Sequence, residues 1–252
     1  MFSNAYKDMS GMTLVGLLQL LVIIGLMVGT YLMSGEIRSN ASTIMVINRV
    51  KDYDAATRNF VQLYGALPGD IRDPKARIPN CPQAPCAAPG NGDRVIADRK
   101  PLISTPYYFR DTSENRTYWL HLATAGLISG IKIDGTSGRY FGQWGVEFPK
   151  SPWGVPGGFH IAYYNVSATP FNPLSLLGHY MVMRGSTDTY GVNVGPYVYV
   201  PKMAEQVDKK IDDGLPQSGR VVAAGSERCV ADGKYHQTAQ SVECNLLFQL
   251  SF

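Results

Sequence analysis

The stretch Met12-Thr-Leu-Val-Gly-Leu-Leu-Gln-Leu-Leu-Val-Ile-Ile-Gly-Leu-Met-Val-Gly-Thr-Tyr-Leu-Met33 carries no charge and a single strongly polar side chain, Gln19. At about 1.5 Å per residue such a run crosses a hydrocarbon core of roughly 30 Å as a helix. A secretory signal peptide has a shorter apolar region and a small-residue cleavage site. Here polar, helix-forming sequence follows instead, so a retained membrane helix is expected over 12–33. Gly25 and Gly29 lie four apart, the spacing at which small residues let a second helix approach closely in lipid. Glycine is also common in membrane helices generally.

The helical pattern continues past the apolar run. From Ser34 to Tyr64 there is no proline and only one glycine, Gly35. Apolar residues recur at Ile37, Ala41, Ile44, Ile47, Val50, Tyr53, Ala56, Phe60 and Leu63, a three-or-four spacing that defines one helical face. Gly65 and then Pro68-Gly69 end the pattern. The expectation is one long helix, apolar over 12–33 and amphipathic over 34–64, followed by a head over 65–252.

The chain has 252 residues, 45% hydrophobic and 17% charged, which excludes global disorder. Its net charge of +3, with no Lys/Arg run interleaved with aromatics, gives no reason to expect nucleic acid as a partner. Abundant Gly, Pro and Tyr suit a loop-rich head with strands. Strands are expected at Phe159–Val166, His179–Arg184, Tyr197–Val200, Arg220–Ala223 and Cys244–Phe252. Asp73–Pro106 reads as mostly loop. Short helices are expected at Tyr118–Ile128, with Trp119, Leu122, Ala123 and Leu127 facing the core, and at Val207–Pro216, ending at Gly214.

Four cysteines, Cys81, Cys86, Cys229 and Cys244, suggest disulfides in a chain with an export-type N-terminus. Three connectivities are open, and neighbour pairing is the simplest. The zinc alternative lacks CxxC spacing and a histidine beside Cys81 or Cys86. No catalytic constellation is legible: HExxH, GxSxG, a P-loop and a dinucleotide-binding GxGxxG are all absent, and the four histidines are scattered. The chain is therefore not expected to be an enzyme or to carry a cofactor. His121 reads as a hydrogen-bonded structural histidine. Asn91-Gly92-Asp93 reads as a turn, with Asp93 and Asp98 the candidates for a calcium loop that lacks EF-hand spacing. Asp212-Asp213 with Lys209 and Lys210 reads as a solvated charged face.

The segment Gly11-Met12-Thr-Leu-Val-Gly16-Leu-Leu18 resembles the prepilin peptidase site of type IV pilins and type II secretion pseudopilins. Three later segments resemble pilin-like proteins with large heads: Phe60-Val-Gln-Leu-Tyr-Gly-Ala-Leu-Pro-Gly-Asp70, Tyr118-Trp-Leu-His-Leu-Ala-Thr-Ala-Gly-Leu-Ile128 and Val207-Asp-Lys-Lys-Ile-Asp-Asp-Gly-Leu-Pro216. The resemblance implies an α+β pilin-like fold, its long N-terminal helix packed on an antiparallel sheet. It implies a leader over 1–11 cut after Gly11, an N-methylated Met12, and a helix that meets other subunits through Gly16, Gly25, Gly29, Ile37 and Ile44. It further implies a single pass through a bacterial inner membrane, a periplasmic head, and prepilin peptidase, an inner-membrane assembly platform and other pilin-like subunits as partners. At Gly16 the sequence departs from the family, which usually has a glutamate there to pair with a neighbour's terminal ammonium. Glycine cannot make that pair, which points to a minor or tip-proximal subunit. The alternative is a membrane-tethered periplasmic binding module that does not polymerise, using aromatic loops at Tyr107, Tyr108, Phe109, Trp144 and Trp153.

Overall fold

The computed structural model describes residues 14–81, 83–96, 114–133, 142–152, 155–166, 175–187 and 196–252, with the side chains of 30–39 and of Val166 outside the description. The chain divides into two compact units, Met1–Ala41 and Ser42–Phe252. One helix, α1 (Leu14–Tyr64), runs through both, as the absence of proline across this stretch allows. It stops where Gly65 adopts φ +63° and donates its N–H to Val61 O at 2.8 Å, the left-handed cap that glycine supplies cheaply. Pro68 lies just beyond and prevents continuation.

In the second unit, α1 buries a row at Thr43, Val46, Ile47, Val50, Tyr53, Ala56, Thr57 and Phe60. The expected face is shown over Ile47–Phe60 and corrected at its ends. Ile44 is 49% and Leu63 66% exposed. At 100° per residue Ile44 falls off the side occupied by Thr43, Ile47 and Val50, and threonines fill the row where the pattern count sought apolar residues. Thr57 Oγ1 satisfies its hydroxyl by donating to Tyr53 O at 2.8 Å and meets the Tyr118 hydroxyl. Ala41 is half-buried, and the side chain of Ile37 lies outside the described residues.

After α1 come α2 (Pro74–Arg77), α3 (Glu114–Thr124), β1 (Gly158–Val166), β2 (Leu176–Arg184), α4 (Pro201–Ile211), β3 (Val221–Gly225), β4 (Val230–Ala231), β5 (Lys234–Tyr235) and β6 (Cys244–Gln249). β1, β2, β6 and β3 form a four-stranded antiparallel sheet in that spatial order, with Phe159 opposite Met183, Met181 opposite Phe248 and Val221 opposite Phe248. The expected α+β class with an antiparallel sheet is thus the observed one.

Alternation along the strands sends Phe159, Ile161, Met181, Met183, Leu246, Phe248, Val221 and Ala223 into the core shared with α1 and α3. Ala162, Tyr164, Tyr180, Val182, Leu247, Val222 and Ala224 form a second buried apolar cluster. Both faces of the sheet are covered, which is why β6 reads as a near-continuous apolar run in the sequence. Trp119, Leu122 and Ala123 of α3 are buried as expected, and Leu127 packs against the core from the turn that follows.

Several boundaries differ from the sequence expectations. α3 begins at Glu114 and ends at Thr124, not Ile128, because Gly126 turns the chain at φ +72°. α4 starts six residues before Val207, with Pro201 at its first turn, where a missing N–H is harmless. The expected strand Tyr197–Val200 is reduced to an isolated bridge of Tyr199 to Cys244, with Val200 already the cap of α4. The last strand ends at Gln249. Asp73 caps the single turn of α2 within the expected loop by accepting from Ala76 N at 3.4 Å.

Both disulfides join sequence neighbours, Cys81 to Cys86 and Cys229 to Cys244, with Cα separations of 5.4 and 5.1 Å. The second closes a 15-residue separation around the β4–β5 hairpin and fastens it to the start of β6. Closing a loop of that length constrains the unfolded chain by about 3 kcal/mol. The double variant Cys229→Ala/Cys244→Ala is therefore expected to lose about that much in urea unfolding of the folded chain. An unchanged midpoint would show that the hairpin is held by packing alone.

Candidate functional site

In the first unit, the described side chains are those of 14–29 and 40–41, and twelve large apolar ones between Leu14 and Val28 are exposed, Leu14 at 84%. A Cβ added at Gly25 or Gly29 would meet nothing within 4 Å, so no packing among the described residues explains either glycine. Among the described residues no helix is long and apolar enough to cross a membrane. Leu14–Gly29 spans about 24 Å, and the flanking parts of the apolar run, Met12, Thr13 and the side chains of 30–33, lie outside the described residues. Gly11 also lies outside them, while Gly16 is half-buried.

In the second unit, the turn that ends α1 is held by polar groups from three directions. Gly69, at φ +85°, sits so close to the start of α3 that a Cβ would stand 2.3 Å from Glu114 O. Its N–H donates to His121 Nδ1 at 2.8 Å, and His121 Nε2 lies 2.9 Å from Cys86 O. The imidazole is therefore the neutral Nε2–H tautomer, bridging the α1 exit to the first disulfide loop while its ring stacks parallel to Phe60. Burial holds its pKa down at about 4, against the hydrogen bond to Cys86. The structural role expected for His121 is the observed one.

Next to it, the buried Asp70 carboxylate accepts from Gly92 N (2.6 Å), Arg94 N (2.7 Å) and Asp93 N (3.2 Å). Burial pushes Asp70 above the usual carboxylate range, and those three donors oppose it. Asn91 Oδ1 accepts from Asp93 N, so Asn91-Gly92-Asp93 is a side-chain-closed turn, as expected. Glu114 Oε1 takes Asn91 N at 3.0 Å. Ligand atoms of Asp70, Asp93 and Glu114 lie within 4.8 Å of one another and could hold a hard cation. Asp98, the other calcium-loop candidate, lies outside the described residues. The loop is moored to the sheet by Ile96 N, which donates to His179 Nε2 at 3.1 Å, and burial lowers that imidazole to about 4 as well.

A second carboxylate knot joins α4 to β3. Asp208, buried, accepts from the Tyr235 hydroxyl at 2.8 Å and from Gly214 N at 3.3 Å. Asp212 accepts from Arg220 N and, at 3.1 Å, from Val221 N, while Asp213 takes Leu215 N and the Ser218 hydroxyl. Lys209, Lys210 and Asp213 are exposed, as the reading of a solvated charged face expects, while the half-buried Asp212 also caps backbone donors at the entry to β3. Burial pushes Asp208 up to about 6, against those two hydrogen bonds, with Asp213 and Asp212 adding to the rise. Asp208, Asp212 and Asp213 also lie within 4.8 Å of one another. Cys81, Cys86 and His121 cluster too, but the thiols are oxidised and both imidazole nitrogens are engaged, so they offer no metal ligands.

Sequence reasoning missed Asp70, Glu114 and Asp208. A carboxylate after Pro-Gly at 68–70 was the available signal for the first. Trp144, expected in an aromatic binding loop, instead packs against Phe148 at 5.8 Å and donates to Gly185 O at 3.4 Å. Tyr107, Tyr108, Phe109 and Trp153 lie outside the described residues. Comparison with protein families, curated proteins and solved structures finds no match.

The histidines set the pH response. His121 has a folded pKa of about 4 against roughly 6.5 unfolded, so its neutral form stabilises the fold fully above pH 6.5 and that contribution is lost as pH falls toward 4. The loss is about 3 kcal/mol for this one group. Asp208, with its carboxyl raised, acts with the opposite sign between pH 4 and 6. Wild-type stability in urea is expected to drop between pH 6.5 and 4.5. His121→Gln should be less stable at pH 7, with a slope flatter by one proton. An unchanged slope in that variant would contradict the bridging role.

Proposed function

We propose that this chain is a pilin-like structural subunit, minor or tip-proximal, of a type II secretion pseudopilus or a type IV pilus-like filament, and not an enzyme. The observation that carries the reading is the exposure of twelve large apolar side chains from Leu14 to Val28 on a helix that continues, without a break, into the core of a disulfide-bonded head. Fully burying a Val, Leu, Ile or Met side chain contributes about 1.5–3 kcal/mol. Covering this set is therefore worth on the order of 20 kcal/mol, a driving force for insertion among lipids first and among other apolar helices on assembly. Gly25 and Gly29, with open space beside them, offer the close approach such helix packing uses.

In this reading the leader over 1–11 stays on the cytoplasmic side of the inner membrane and the head folds in the periplasm, where both disulfides form and persist. Prepilin peptidase cuts after Gly11 and methylates Met12. The assembly platform and other pilin-like subunits are the partners. Gly16, in place of the glutamate usual in the family, restricts the chain to a place that needs no carboxylate to pair with a neighbour.

Mass spectrometry of the protein isolated from membranes of a strain with prepilin peptidase is expected to show an N-terminus at Met12 carrying a methyl group. An intact Met1 would overturn the processed-subunit reading and leave a membrane-tethered module.

A further inference from the structure

A groove of about 430 Å³ opens on the head between α1, at the edge of its buried row, and the turn after α3. Its volume falls within the roughly 300–1,000 Å³ of ligand sites. Arg49, Asp52, Tyr53, Ala55, Ala56 and Asn59 line it from the helix, and residues 126–129 form the facing wall.

The Tyr53 ring is held by edge contacts to Trp119 at 5.0 Å and Phe159 at 5.3 Å, so it is a fixed platform. The Arg49 guanidinium lies 5.8 Å from that ring's centroid, within reach of a cation–π attraction. Among the described residues Arg49 has no carboxylate partner, and Asp52, three positions on, has no cation. Asn59 is likewise unpaired, and the backbone N–H groups of Ile128 and Ser129 donate to no described residue. Ala55 and Ala56 line it with small side chains from the helix, while Leu127 and Ile128 add apolar surface from the turn.

A planar cation on an aromatic platform recognises a carboxylate through paired hydrogen bonds. The nearby acceptor, Asp52, suits a peptide N–H. The small alanine side chains, together with backbone donors at Ile128 and Ser129 that no described residue pairs, suit an extended main chain. We infer that this groove binds an extended polypeptide segment bearing an Asp or Glu side chain, its carboxylate on Arg49 and a backbone N–H on Asp52. The inference stands on the head alone and does not depend on the pilin-like reading.

The test uses the full chain in detergent micelles, with methyl-labelled Ala, Leu and Ile, titrated with acetyl-Ala-Asp-Ala-Leu-amide and with its Asn counterpart. Saturable shifts are expected at the methyls of Ala55, Ala56, Leu127 and Ile128 for the Asp peptide. Affinity should fall at least about tenfold for the Asn peptide and for the Arg49→Gln protein, and binding should be lost when Ala55→Phe fills the groove. No saturable shifts with the Asp peptide would overturn the proposal. So would equal affinity for the two peptides, or retention of wild-type affinity by either variant. The two-peptide comparison uses wild-type protein only, so a misfolded variant does not remove the test.

Discussion

Tyr53 meets Trp119 of α3 and Phe159 of β1 edge-on, and one turn further along, Thr57 meets the Tyr118 hydroxyl. These contacts seat the C-terminal half of α1 on both a helix and a strand. Aromatic pairs of this kind add about 0.5–1.5 kcal/mol each beyond the area they bury. Their main consequence is positional. With Tyr53 and Phe60 fixed, the exit of α1 arrives where Gly69 can press against Glu114 and hydrogen-bond His121, and Asp70 can gather the backbone of 92–94. The disulfide loop, the α1 exit and the start of α3 thus form one braced corner.

The two halves of α1 are chemically unlike. Over Val46–Phe60 the helix already spends its apolar face inside its own head. Over Leu14–Val28 it presents exposed apolar residues, and no described residue lies against Gly25 or Gly29. One part of α1 is thus covered by the head, and the described part of the other leaves its large apolar side chains exposed. The carboxylates inside the head serve a different end: Asp70, Asp208 and Asp212 take backbone N–H groups that the loops cannot pair elsewhere.

The long helix, the buried face of its second half, α3, β1, β2 and β6 were legible in the sequence because each has strong periodicity or a β-rich run bounded by turn residues. The observed disulfide pairing is the simplest of the three connectivities that the sequence leaves open. The hairpin Val230–Tyr235 was not legible, although its Asp232-Gly233 turn has the positive φ pair of a tight hairpin: two residues on each side give no alternation to count. Tyr197–Val200 looked like a strand because aromatic and β-branched residues also suit the extended entry to a helix, and Pro201 was the overlooked signal. Burial of Asp208 four positions before the accessible Asp212 depends on Tyr235, which arrives from a distant hairpin. The groove was invisible for a similar reason. Arg49, Asp52 and Asn59 are ordinary polar positions on a helix until residues 126–129 close the other side.

Ile44 and the stretch ahead of it offer the most direct test of assembly through α1. A photo-crosslinking phenylalanine analogue at Ile44, exposed on the head side of the helix, would be activated in intact cells and the adducts identified by mass spectrometry. The account predicts adducts to other chains with an apolar N-terminal helix, lost when the apolar run is interrupted by Leu21→Arg. Adducts to lipid or to this chain alone, with no second polypeptide above background, would contradict it.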